Sequence, residues 1–220
     1  MKKIIYWFAV VVSVVLIYAS WKGIIPFGLT EMLGFVTGGW TVWLTVKENI
    51  WNWPIGILNS IFFLILFLKA RLFADSGLQV VYVVFGFLGW YWWLYGGKDK
   101  TELPVQNVTK RTAFILAFLT LAFTWIMTIY LRKISDVSPF LDALTTVLSL
   151  VAQYLLTKKY IENWYIWITA DVIYIYLYAY KNLYLTSILY FIFLCMCIQG
   201  VLEWKRSQDK MIFVEPAIIK

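Results

Sequence analysis

Eight apolar runs, most of them 17–20 residues long, follow one another along this chain with only short polar gaps between them. They fall at 4–19, 28–46, 53–69, 76–95, 112–130, 139–157, 164–180 and 184–203. A run of that length crosses the hydrocarbon core of a bilayer as a helix. Strands are excluded, because the runs lack period-two alternation and lipid offers no partner to an open sheet edge. Composition agrees: 62% of the 220 residues are hydrophobic and 14% charged, against about 25% charged in a soluble domain. The expected fold class is all-α, a polytopic membrane protein without a soluble domain.

The 19 Lys and Arg residues lie at helix ends and in loops. Placing the N-terminus, the loops 47–52, 96–111 and 158–163 and the C-terminal tail on one side gathers 13 of them and leaves 6 opposite. That bias predicts a cytoplasmic C-terminus. The net charge of +7 therefore reads as topology, with no nucleic-acid partner. Lys2-Lys3, an apolar stretch and Ala19-Ser20 resemble a signal peptide. Trp21-Lys22-Gly23 then offers no small-x-small cleavage site, so 4–19 is read as an additional membrane or interfacial helix.

The sequence repeats at an offset of 111 residues. Asn52-Trp53 matches Asn163-Trp164, Lys47 matches Lys158, Leu72 matches Leu183, and Leu78 matches Leu189. Gly89 matches Gly200, Trp93 matches Trp204, and Glu31 matches the acidic Asp142. Seven core helices are expected as two three-helix repeats, 28–95 and 139–204. Residues 96–138 supply a cytoplasmic loop and a linker helix, 1–27 an N-terminal apolar helix and connector, and 205–220 a tail. With three helices between equivalents, the repeats run parallel, a plan found in transporters with a site near the membrane midplane.

Asp171 lies halfway along the run 164–180. A carboxylate there costs about 2.5–3.5 kcal/mol on insertion and marks a functional site by default. Trp164, Trp167, Asp171, Tyr174 and Tyr178 are spaced to share one helix face. Aromatic rings beside one carboxylate suit a flat cation. Tyr165, Tyr176 and Tyr180 lie on other faces, so packing accounts for part of the aromatic content. In the first repeat Asn59 and Ser60 fall at the depth of Ala170 and Asp171; a mid-membrane Asn is either a ligand contact or an interhelical tie. Gln79, Trp90 and Trp93 lie near one face of 76–95. Gln153 and Gln199 read as further buried amides, able to bind a carboxamide or hydroxyls. Gly34-x-x-x-Gly38 reads as a close-packing motif.

Several classes are excluded. The chain has no His, so H-E-x-x-H zinc chemistry is absent, and no metal or other cofactor is expected. Cys195 and Cys197 point to different faces and read as packing residues. No G-x-x-x-x-G-K-[ST] loop is present, nor a Ser-His-Asp or Cys-His set, so the chain is not expected to be an enzyme. No Lys or Arg lies deep in a run, whereas a phosphate would want a basic clamp. Asn107-Val108-Thr109 is a formal glycosylation sequon in a loop placed in the cytoplasm, and is set aside.

Asn52-Trp53-Pro54 with Asn59, Asn163-Trp164-x-x-Trp167-x-x-x-Asp171, and Gly89-Trp90-x-x-Trp93 resemble the PnuC family of bacterial nicotinamide riboside transporters, over residues 28–204. The resemblance implies facilitated diffusion of nicotinamide riboside across the bacterial inner membrane. It implies trapping of the riboside by a cytoplasmic kinase, a SWEET-like 3+1+3 fold and a homotrimer. The expected substrate-binding residues are Trp53, Asn59, Gln79, Trp90, Gln153, Asn163, Trp164, Trp167, Asp171 and Tyr174. Trp164 and Trp167 are expected to stack the pyridine ring, with Asp171 and Asn59 on the ribose or the charge, and the halves to rock in alternating access. The alternatives are a SWEET-like sugar carrier or another vitamin carrier, a proton-coupled carrier, and a non-transporting membrane enzyme or sensor subunit.

Overall fold

The computed structural model describes residues 2–69, 71, 73–133, 138–180 and 184–214. Among them are eight α-helices: α1 (Lys2–Trp21), α2 (Leu29–Val46), α3 (Asn52–Lys69), α4 (Phe73–Tyr95), α5 (Lys110–Lys133), α6 (Pro139–Thr157), α7 (Asn163–Tyr180) and α8 (Tyr184–Val214). Each apolar run is one helix, and the protein is all-α as expected. Five helical stretches are long and apolar enough to cross a membrane: Asn52–Lys69, Asp75–Tyr95, Lys110–Lys133, Pro139–Thr157 and Ser187–Lys210. α7 falls outside that set because its five Tyr, Asn163 and Asp171 dilute its apolar content. The matched Leu72 and Leu183 lie outside the described residues, as do 215–220 of the expected tail.

The last helix departs from the sequence reading. α8 continues past 203 to Val214, so 205–214 is helical. Its residues Glu203, Lys205, Arg206 and Gln208 are good helix formers.

The chain divides into two compact units, Met1–Leu44 with Trp51–Phe87, and Thr45–Ile50 with Leu88–Lys220. In the first, α1 lies antiparallel against α2. The Trp40 indole Nε1 donates to Ser13 Oγ at 3.0 Å, and the Tyr6 ring meets Trp40 and Trp43. Segment 4–19 is thus a helix hydrogen-bonded to its neighbour. α2 and α3 approach closely where Phe63 lies over Gly34 and Thr41 over Gly56. α4 meets α3 where Ile57 presses on Gly86; a Cβ at Gly86 would lie 2.5 Å from it.

In the second unit α5 packs on α6, α6 on α7, and α7 on α8. The hydroxyl of Thr109 accepts from the backbone N–H of Thr112 at 3.2 Å and caps α5, relieving a donor that a helix start leaves unpaired. The preceding loop is stitched to the α6–α7 turn. Gln106 N donates to Lys159 O at 3.1 Å, and Ile161 N returns a bond to Gln106 O at 3.0 Å. Gln106 Nε2 reaches Lys158 O, and Glu162 accepts from Val108 N. Leu103, Val105 and Ile161 are buried beneath these bonds.

Candidate substrate site

Asp171 is 4% exposed, in the middle of α7. α7 and α8 run antiparallel, which carries Cys197 to it: the thiol donates to Asp171 Oδ2 at 3.4 Å. Among the described residues no cation pairs with this carboxylate. A thiol is a weak donor, so the charge is poorly answered for its depth.

One and two turns further along α7 stand Tyr174 and Tyr178. Both stack on Tyr190 of α8, with centroids 4.5 and 5.3 Å apart. Three phenol rings therefore form one stacked wall beside the acid. Toward the start of α7, Trp164 turns its ring against Gly200, where a Cβ would lie 2.5 Å from the indole. Only glycine permits that approach. Trp164 also meets Trp204 edge-to-face at 5.4 Å and is 2% exposed. Its Nε1 has no hydrogen-bond partner among the described residues. Trp167 is half-buried between these two ends of the stripe.

The other expected site residues are spread over the two units. Asn163 is fully buried at the start of α7; its Nδ2 donates to Tyr160 O at 2.7 Å. Trp90 and Gln153 are half-buried in the same unit. Trp53, Asn59 and Gln79 belong to the smaller unit, where Trp53 and Gln79 are buried. Asn59 Nδ2 donates to Gly34 O and to Thr37 Oγ1. Its amide nitrogen is thus committed to α2, at the Gly34–Gly38 approach. Gln199, expected as a buried amide, is instead exposed.

Two participants escaped the sequence reading. By sequence Cys197 reads as a packing residue, and nothing marks Tyr190 out among the many tyrosines. Both follow from pairing α7 with α8 in opposite directions, a register that sequence periodicity leaves open.

The sequence model described as "Nicotinamide mononucleotide transporter" matches residues 28–206. The chain belongs to this family. The PnuC transporters fall in the same group. The nicotinamide riboside transporter PnuC of Escherichia coli (strain K12) is 29% identical, over 80% of this chain and 85% of that protein. The riboflavin/roseoflavin transporter RibM of Streptomyces davaonensis is 25% identical, over 80% of this chain and 84% of its own. The crystal structure of the vitamin B3 transporter PnuC superposes with a TM-score of 0.68 at 23% identity, covering 92% of each chain. The PnuC resemblance read from the motifs is correct, and membership in a transporter family agrees with the expectation that the chain is not an enzyme. α1 lies outside the residues the family model matches.

Proposed function

We propose that this PnuC-family protein carries nicotinamide riboside into the cell by facilitated diffusion, with alternating access and trapping by a cytoplasmic kinase. The observation that carries the reading is Asp171: a buried carboxylate with a thiol for company, beside a stacked tyrosine wall. A pyridinium is flat and cationic, so it satisfies the charge and the rings together. In this reading Asp171 balances the pyridinium, and Trp167 and Tyr174 flank it. Trp164, wedged on Gly200, holds the start of α7 in place. Gln153, Asn163 and Trp90, which belong to the same compact unit as Asp171, remain candidates for the carboxamide and ribose.

Riboside is favoured over mononucleotide by charge. The buried Lys159 lies in the α6–α7 turn and is already paired with Glu48, which leaves a phosphate without a basic clamp among the described spans. A homotrimer in the inner membrane with a cytoplasmic C-terminus belongs to the same reading. Native mass spectrometry in detergent checks the trimer.

The relative RibM gives weight to one rival, a neutral flavin. Calorimetry of the purified protein against nicotinamide riboside, its mononucleotide, riboflavin and glucose separates them. The proposal expects heat from the riboside alone. Riboflavin binding that survives Asp171→Asn unchanged, with no riboside binding, sinks it.

A further inference from the structure

We propose that the end of the molecule where α2 and α6 finish is a two-fold clasp, which holds the pathway shut on that side and opens once per transport cycle. The inference rests on the transport reading above. All of its residues lie in the larger compact unit.

The clasp is built from reciprocal contacts. The Thr45 carbonyl, at the end of α2, accepts from Glu48 N and from the indole Nε1 of Trp204, both at 3.0 Å. The Leu156 carbonyl, at the end of α6, accepts from Lys159 N at 2.9 Å and from the indole Nε1 of Trp93 at 3.0 Å. Every member of one set lies 111 residues from its counterpart: 45 and 156, 48 and 159, 93 and 204. Each half's last indole therefore crosses to the other half's helix end.

The backbone repeats the pattern. Glu48 and Lys159 both hold left-handed conformations, φ 52° and 55°, a turn that ends a helix at a cost for a residue with a Cβ. These two residues then meet each other, Lys159 Nζ to Glu48 Oε2 at 3.0 Å. They are each other's equivalents, so their bond lies where a two-fold axis would pass. The crossing indoles Trp93 and Trp204 meet there edge-to-face at 5.8 Å. A further exchange flanks them. Lys47 pairs with Glu203 at 2.8 Å, and its counterpart Lys158 lies 3.2 Å over the ring of Trp92, the counterpart of Glu203. Burial holds the Lys158 ammonium below the ordinary lysine value.

Such contacts suit a part that opens and recloses. The contacts that cross from one half to the other all use side chains, so breaking them unwinds no helix. Basic side chains and indole N–H donors also answer the negative ends of the α2 and α6 dipoles. A bond between equivalent residues is a position where a single substitution loosens both halves at once.

The test reads accessibility, not substrate. Thr157, fully buried beside the clasp, is replaced by Cys in a Cys195→Ala background. Its reaction with a membrane-impermeant maleimide is followed from the α6-end side of proteoliposomes. Glu48→Lys sets two ammonium groups against each other and is expected to speed labelling about tenfold. The swap Glu48→Lys with Lys159→Glu is expected to return it to the parent rate. Should Glu48→Lys fail to fold, Trp93→Phe with Trp204→Phe removes both crossing donors, keeps the rings, and is expected to speed labelling likewise. Folded variants that label at the parent rate, or a swap that does not restore it, overturn the clasp as a gate. If the labelling pattern holds while nicotinamide riboside fails to bind, the substrate assignment falls and the clasp stands.

Discussion

Lys159 and Asp171 are both buried ionisable residues, and the protein treats them in opposite ways. Lys159 is paired with Glu48, stands 4.8 Å over the ring of Trp93, and ends a helix turn. Asp171 has a thiol and a wall of phenols. A buried charge with its counter-charge in place is part of the scaffold, although such a pair is weak evidence for stability. One left with a poor partner holds binding energy for a ligand that brings the opposite charge. The same contrast runs along α7: at its start Trp164 is locked by Gly200 and Trp204, whereas at its middle the Asp171 carboxylate meets only the Cys197 thiol as a polar partner among the described residues.

The largest expected effect tests the locked end. Trp164→Ala leaves a cavity against Gly200 and Trp204 and is expected to cost about 3–5 kcal/mol, read by thermal unfolding in detergent. A normal melt with lost riboside binding would instead make Trp164 a ligand contact and erase the contrast. Glu48→Gln comes next. It strands a buried ammonium, and because Glu48 is partly exposed the expected loss is about 1–3 kcal/mol. No loss of stability would make Lys159 as poorly held as Asp171.

Asp171→Asn probes the other side. Nicotinamide riboside affinity is expected to fall at least about tenfold, or 1.4 kcal/mol, by calorimetry. The melt is expected to hold or rise, since an unpaired buried charge is gone. A falling melt with unchanged affinity would reassign the acid to the scaffold. Cys197→Ser gives the smallest effect. A hydroxyl donates more strongly than a thiol, so the carboxylate is better satisfied and riboside binding is expected to weaken about two- to threefold, within 1 kcal/mol. Tighter binding in that variant contradicts the idea that an ill-answered acid drives recognition.

The eight helices were legible from apolar length, because a bilayer-spanning chain satisfies its backbone within each segment. The end of α8 was not, since residues 205–214 carry charges that read as a tail by hydropathy and as a helix by propensity. Within the site, the burial of Asp171 was legible from its position in α7. Its contact with Cys197 depends on the antiparallel seating of α8. Asn59 left two readings open, and the structure adds that its nitrogen is spent on α2.

What the sequence by itself determined is the set of helices, their apolar length, the lone acid within α7 and the 111-residue spacing that pairs Trp93 with Trp204. The tertiary structure alone decided where those indoles donate. Their acceptors, the carbonyls of Thr45 and Leu156, are backbone atoms that every residue type carries, so no side chain in the sequence announces them. It likewise decided that Lys159 finds a carboxylate and Asp171 a thiol, because partners of that kind are chosen by how helices are seated and not by what any one helix contains.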